Sequence, residues 1–385
     1  MVSTRAQEIK PFLVMDVLER AHELEEEGVD VVHLEVGEPD FDVPQCVKDA
    51  LCTAIEEGYT HYTHSLGCID LREAICDYYQ RRYEVSVRPE QVIVTSGTSP
   101  AMLLVFSALL DAGDEVILPD PHYACYPNFI RMVDGVPVMV PVHEADGFQL
   151  EPEQIEARTG ERTRAVLVNS PSNPTGNLLS PDRMAAIAAL PTHVISDEIY
   201  HGLVYEGREH SILEFTDQAF VLNGFSKLYA MTGLRLGYLI APPDFVRPIQ
   251  KLQQNLFICA NSVVQRAGIA ALQGSDEDVA RMLGIYDERR RFMIARLRDL
   301  GFRIPVEPTG AFYVFVNARH ISDNSYALAF DILEKAHVGV TPGIDFGSNG
   351  EGYLRFSYAN SIENIAEGLD RLERYLQRHQ ETGSL

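Results

Sequence analysis

The sequence predicts an α/β protein in which a large domain with a mostly parallel sheet, covered by helices on both faces, is joined to a smaller α+β domain. Two observations predict this. From about residue 49 to residue 272, short β-branched runs alternate with helical patterns, the signature of βαβ units. The chain has 385 residues, 46% of them apolar and 23% charged, enough for one large core and a second, smaller one. The expected division is residues 1–47 as an N-terminal arm and part of the small domain, 48–275 as the large domain and 276–385 as the small C-terminal domain.

Taken in order, the first element is a helix over Leu13 to Gly28. Val14, Val17, Leu18, Ala21 and Leu24 share one face, and Gly28 stops it. The clearest strands of the large domain are QVIVTS, DEVILPD, RAVLVNS, THVISDE, AFVLNGF and LGYLIA. The first of these runs through Ser96-Gly97-Thr98 into a helical stretch, Ala101 to Leu110. A long helix near Asp278 to Leu300 leads out of this domain. Beyond it AFYVFV, the VGVTPG region and YLRFSYA read as strands. The last helix presents Ile362, Ile365, Leu369, Leu372 and Leu376 on one face, with Asn360 ahead of Glu363 as its cap signature.

Bulk properties exclude several function classes. A formal net charge of −24 argues against nucleic acid or an anionic membrane as partner. No window approaches the roughly 18 uninterrupted apolar residues of a membrane span, and the N-terminal stretch has no signal-peptide pattern. The six cysteines form no C-x-x-C pair and the histidines no H-E-x-x-H pattern, so no metal site is expected. Reduced thiols of a cytoplasmic protein are the reading that remains.

The run GFSKLYAMTGLRLGY, Gly224 to Tyr238, carries the chemistry. Lys227 follows a short apolar strand, and a lysine amine can form a Schiff base with an aldehyde, which is how proteins hold pyridoxal phosphate. Arg235 offers that cofactor's phosphate a planar, always-charged partner. Gly97 and Thr98, at a helix start, offer free N–H groups. Alone they read more readily as an ordinary strand-to-helix turn, but with Arg235 and Ser226 they make a phosphate cup. Asp197 ends the strand THVISDE and would keep a pyridine nitrogen protonated, or else cap the next turn. Tyr200, three residues on, would reach the ring hydroxyl.

Asn173 lies between the prolines of NSPSNPTG, so its amide is held for the same hydroxyl or belongs to a merely rigid turn. Tyr123 in PHYACYP would stack on a ring or sit in the core. Arg355 lies among apolar residues in YLRFSYA and needs a partner there, either a substrate carboxylate or a structural Asp or Glu.

With these residues in place, the chain resembles the PLP-dependent aminotransferases of fold type I, class I/II, the aspartate aminotransferase superfamily. The likeness runs from about Lys10 to the C-terminus and rests on VGEPDFDVP (Val36 to Pro44), NSPSNPTG, SDEIY and the SK…GLRLGY run. It implies a seven-stranded sheet and pyridoxal 5'-phosphate as cofactor. It makes Lys227 the Schiff-base lysine and proton carrier, with Asp197 on the pyridinium nitrogen and Asn173 and Tyr200 on the ring hydroxyl. Tyr123 stacks on the ring, while Gly97, Thr98, Ser226 and Arg235 hold the phosphate. Arg355 and the backbone N–H of Gly37 take the substrate α-carboxylate. Tyr62 matches the tyrosine that relatives lend to the neighbouring subunit, so the resemblance implies a homodimer with shared sites.

Two departures from the family pattern matter. Gly224 stands where many relatives have a serine, so one phosphate hydroxyl is missing, and Ser99 stands where aspartate-specific relatives often have a lysine. Phe12-Leu13-Val14, the substrate entrance in relatives, is apolar. Ser99 and this apolar entrance favour a neutral amino donor such as alanine, a branched-chain or an aromatic amino acid, passed to a 2-oxo acid by a ping-pong mechanism. Aspartate transamination, with His64 or a mobile arginine serving the dicarboxylate, and carbon–sulfur β-lyase chemistry are the alternatives. A catalytically silent binding fold is a third, although every central position is filled.

Overall fold

The computed structural model describes residues 2–382. Its strands are β1 (Val32–His33), β2 (Val92–Thr95), β3 (Glu115–Asp120), β4 (Val136–Pro141), β5 (Thr163–Asn169), β6 (His193–Asp197), β7 (Ala219–Gly224), β8 (Gly237–Ile240), β9 (Tyr313–Asn317), β10 (Val338–Gly339), β11 (Thr341–Pro342) and β12 (Tyr353–Ser357). Seven form one sheet in the order β2-β8-β7-β6-β5-β3-β4. Only β8 runs antiparallel to its neighbours β2 and β7.

The sheet is buried on both faces, so its strands read as continuous apolar runs and not as alternating ones. Successive side chains still divide between two cores. Ile93, Val116, Leu118, Leu167 and Leu222 pack with Leu104, Phe106 and Ile249, from the helices Thr98–Leu109 and Pro243–Leu256. Val92, Val94, Ile117, Val166 and Val194 join Leu71, Ile75 and Tyr79 of helix Ile69–Tyr83 on the other face. Such burial stabilises by about 25 cal/mol per Å² of apolar surface removed from water.

The seventh strand, β4, is absent from the six clear strands of the sequence. Pro137 and Pro141 interrupt its donor pattern, and it is viable because it lies at the sheet edge and pairs only with β3. The helix predicted from Leu13 spans Leu13–Glu26, with Gly28 at φ +90° ending it. The long helix spans Asp276–Asp299. The final helix begins at Ile362, and its cap is Ser361, not Asn360: Ser361 Oγ accepts from Asn364 N at 3.1 Å. Asn360 Oδ1 instead accepts from Ser361 N, at 2.8 Å. No helix among the described residues is long and apolar enough to cross a membrane.

The small domain has an antiparallel sheet, β11-β12-β9. The N-terminal segment reaches it through the parallel pair β1 and β10. The chain's beginning therefore closes on its end, and the crevice between them overlooks the carboxyl ends of β5 and β6.

Candidate active site

Parallel strands deliver their carboxyl ends to one edge, where Asn169 of β5 is in register with Asp197 of β6. A cavity of about 380 Å³ opens there. Its walls include Thr98, Tyr123, Asn173, Asp197, Tyr200, Ser226, Lys227, Arg235, Gly37 and Arg355. The sequence-predicted residues are thus brought together from six strand ends or turns and from a strand of the small domain. Gly97 lies directly behind, as N-cap of helix Thr98–Leu109. Tyr62 is not gathered in; it is 81% exposed on the surface.

Lys227 leaves the turn after β7, half-buried, and donates through Nζ to the Gly37 carbonyl at 2.6 Å. Loss of water pulls its amine down to about 8, only partly opposed by Glu38 and Asp197 and reinforced by Arg355 and Arg235. A neutral amine is therefore accessible near physiological pH. At the cavity floor, Asp197 is 3% exposed. Its Oδ2 accepts from Tyr126 Oη at 2.7 Å and Oδ1 from Ile199 N at 3.2 Å. Burial pushes this carboxyl up to about 6, the two hydrogen bonds and Lys227 opposing it. It has no salt-bridge partner among the described residues, so the site holds an anion in need of a cation.

Arg355, on β12, is 2% exposed. Nη1 donates to Asn173 Oδ1 at 2.9 Å, and Nη2 to the Glu35 carbonyl at 2.6 Å and Thr341 Oγ1 at 3.1 Å. Its Nε has no hydrogen-bond partner among the described residues. The guanidinium carbon lies 4.2 Å from the Tyr313 ring centroid and 5.0 Å from that of Phe346. Every partner is neutral, and the structural Asp or Glu that the sequence left open is absent among the described residues. Asn173 has its oxygen turned to Arg355 and its backbone N bonded to Asn169 Oδ1 at 2.8 Å; the amide NH₂ is the end left for another acceptor.

At the other end of the cavity, helix Thr98–Leu109 starts with no side-chain cap, leaving N–H groups and a positive dipole end unanswered. Arg235 sits at φ +55°, a conformation that costs a non-glycine residue about 1 kcal/mol or more. That turn aims it at the helix start: a Cβ at Gly97 would lie 2.7 Å from Arg235 Nη2. Glycine is required there both for its φ of +99° and for this approach. At Gly37, which is not at a positive φ, a Cβ would lie 2.3 Å from Tyr313 Oη. The group of Gly37 engaged within the chain is its carbonyl, by Lys227, and not its N–H.

Several wall residues escaped sequence reasoning: Tyr126, Tyr313, Asn169 and Glu38. Tyr313 Oη lies 2.8 Å from Tyr200 Oη, and Tyr126 holds Asp197. Asn169 was findable, because it ends a predicted strand beside the strand of Asp197. The two tyrosines sat inside quoted motifs but gave no signal separating them from core aromatics. On the entrance side, Phe12, Val14, Met15 and Leu18 form an apolar wall together with Met102, and Ser99 faces the same space.

The cavity pairs a depressed lysine amine with a buried carboxylate in need of a cation, and an uncapped helix start with an arginine. A pyridine ring bearing an aldehyde and a phosphate fits that donor set. Comparison with known proteins agrees. Residues 29–372 match the family Aminotransferase class I and II. The (5-formylfuran-3-yl)methyl phosphate transaminase of Methanocaldococcus jannaschii is 41% identical, covering 98% of this chain and 100% of its own. An aspartate aminotransferase of Pyrococcus horikoshii is 37% identical over 98% and 97%. The solved aspartate aminotransferase of Thermus thermophilus with maleate superposes with a TM-score of 0.94 at 37% identity, covering 97% of this chain and 99% of that one. The chain therefore belongs to the class I and II aminotransferases, within the PLP-dependent transferases of fold type I.

Proposed function

We propose that the protein transfers the amino group of a neutral L-amino acid to a 2-oxo acid at this cavity, in two half-reactions that share one site, and that it does so with pyridoxal phosphate held on Lys227. The observation that carries the reading is Arg355, buried with no carboxylate partner among the described residues in the wall that also holds Lys227 and Asp197. A buried cation left unpaired by its own chain is matched by a carboxylate brought by substrate. Both amino acids and 2-oxo acids bring one.

Bound there, pyridoxal phosphate supplies an aldehyde and an electron-withdrawing pyridinium ring. Asp197 would hold the proton on the ring nitrogen, its own burial cost relieved by that cation. Tyr200 and the amide NH₂ of Asn173 would orient the ring hydroxyl, and Tyr123 would cover the ring face. Thr98, Ser226, Arg235 and the helix start behind Gly97 would hold the phosphate. Arg355, oriented by Asn173, Thr341 and the Glu35 carbonyl, would dock the α-carboxylate and so place the substrate Cα–H near Lys227. The neutral amine of Lys227 would take the Cα proton, within the general-base contribution of about 10²–10⁴-fold typical of a positioned amine.

The donor's side chain would lie against Phe12, Val14, Met15, Leu18 and Met102, an apolar wall that favours apolar side chains. Beyond Lys227, Arg235 and Arg355, no cation of this chain lines the cavity among the described residues. A second reading, transamination of aspartate, is favoured by the activity named for the Pyrococcus and Thermus relatives. In a homodimer, Tyr62 would reach the phosphate of the neighbouring site. Its exposure supports that reading, as does that of Tyr59 and Ile258. Initial rates with leucine, phenylalanine, alanine and aspartate, all against 2-oxoglutarate, test the donor. An apolar donor should exceed aspartate in kcat/KM by at least about tenfold; the reverse order would establish the second reading. Ammonia released from a cysteine conjugate without any oxo acid would point to the β-lyase.

A further inference from the structure

The helix Leu13–Glu26 begins without a cap of its own. Phe12 occupies the N-cap position and makes no side-chain cap bond, because an aromatic ring offers no acceptor. The cap comes from the other end of the chain. Asp345 Oδ1 accepts from Leu13 N at 2.9 Å and Oδ2 from Val14 N at 3.2 Å, across a sequence separation of 332 residues.

Asp345 is 9% exposed, and no cation lies within ion-pair reach of it among the described residues. These two backbone N–H groups are the hydrogen bonds its carboxylate makes. Burial without a cation is costly and pushes its carboxyl up to about 6, against the pull of the two N–H groups and of Arg355. A Ser or Asp at position 12 would cap this turn locally. The sequence instead keeps an aromatic residue there and sends the acceptor from the small domain.

The capped turn is the apolar wall of the site. Phe12, Val14, Met15 and Leu18 all face the cavity, and the Phe12 ring meets Tyr123 edge-on at 5.8 Å. Asp345 is next in sequence to Phe346, whose ring lies 5.0 Å from the Arg355 guanidinium carbon. One short segment therefore touches both the group facing the substrate carboxylate and the wall facing its side chain.

We infer that Asp345 is a positioning residue for donor selection: by capping the entrance helix from the small domain, it fixes the distance between the apolar wall and Arg355. The inference rests on the site assignment above, and its consequence depends on donor size. A donor with a large apolar side chain needs the wall held in place, whereas alanine scarcely reaches it.

The test uses the PLP-loaded enzyme, with Asp345→Ala and Asp345→Asn assayed on alanine, leucine and phenylalanine. In Asp345→Ala, KM for leucine and phenylalanine should rise about tenfold with kcat within about twofold, while KM for alanine stays within about twofold. Amide hydrogen exchange at Leu13 and Val14 should quicken. Asparagine keeps one acceptor oxygen and should fall between, and it is the variant to read where alanine fails to fold. Unchanged KM for the large donors overturns the inference even if exchange quickens. An equal rise for alanine also overturns it, because it would place the effect at Arg355. A wild-type preference for aspartate over leucine would defeat the donor reading alone; the ratio of best donor to alanine in Asp345→Ala would still decide the inference.

Discussion

Three side chains in the cavity carry charge under conditions that ordinary surface groups never meet, and each gives a separate prediction. Lys227→Ala should lower turnover by about 10³-fold or more while far-UV circular dichroism is unchanged; retained transamination would remove Lys227 from the chemistry. Arg355→Lys keeps the charge but loses the fork that two carboxylate oxygens need. Its kcat/KM should fall by about 10- to 100-fold for every amino donor and oxo acid alike, and a loss confined to one donor would contradict the carboxylate role. Asp197 is pushed up from 3.8 to about 6 in the cofactor-free protein. Folding therefore takes up protons between those values, and stability is lost as pH rises through that window. Without cofactor, the Tm of Asp197→Asn relative to the unsubstituted protein should accordingly improve from pH 5 to pH 7.5. Loading pyridoxal phosphate should place the unsubstituted protein above Asp197→Asn at pH 7.5.

At the scale of elements, strands buried on both faces were legible because each carries a run of apolar residues, and their carboxyl ends then located most of the site. β4 was not legible, since two prolines mask an edge strand whose pairing is decided by its neighbour. Tyr126 and Tyr313 could not be told from core aromatics, because their partners, Asp197 and Tyr200, come from elements 71 and 113 residues away. Nor could any local pattern announce that Asp345 caps a helix near the other end of the chain. The β1 segment, by contrast, carries a local pair, two residues apart in the chain. His33 Nδ1 lies 2.6 Å from Glu35 Oε1, a hydrogen bond that raises the imidazole to about 9 despite desolvation. For a histidine raised in the folded state, the contribution is fully present below about 6.5 and is lost as pH climbs through 9. Wild type should therefore lose more Tm between pH 7 and pH 9.5 than His33→Gln does, and equal losses would show that the pair contributes nothing.

For the whole molecule, the small domain meets the carboxyl end of β3 through the 343–349 segment, where Ser348 Oγ and Asn349 N bond Asp120 at 2.8 and 3.0 Å. A chain with a net charge of −24 still concentrates Lys227, Arg235 and Arg355 at one cavity, which draws small anions in locally while the surface repels large ones. If Tyr62 completes the neighbour's site, sedimentation should give twice the 43.0 kDa of one chain, and Tyr62→Phe should weaken cofactor affinity more than turnover; a monomer with full activity would contradict the shared site. The most direct test of the aminotransferase site is the visible absorption of pyridoxal phosphate mixed with the protein, followed as a single amino acid and then a 2-oxo acid are added. The absorption should shift on mixing, fade with leucine or phenylalanine and return with the oxo acid, and Lys227→Ala should show none of these changes. An absorption that does not shift, or that shifts equally with Lys227→Ala, would contradict the assignment.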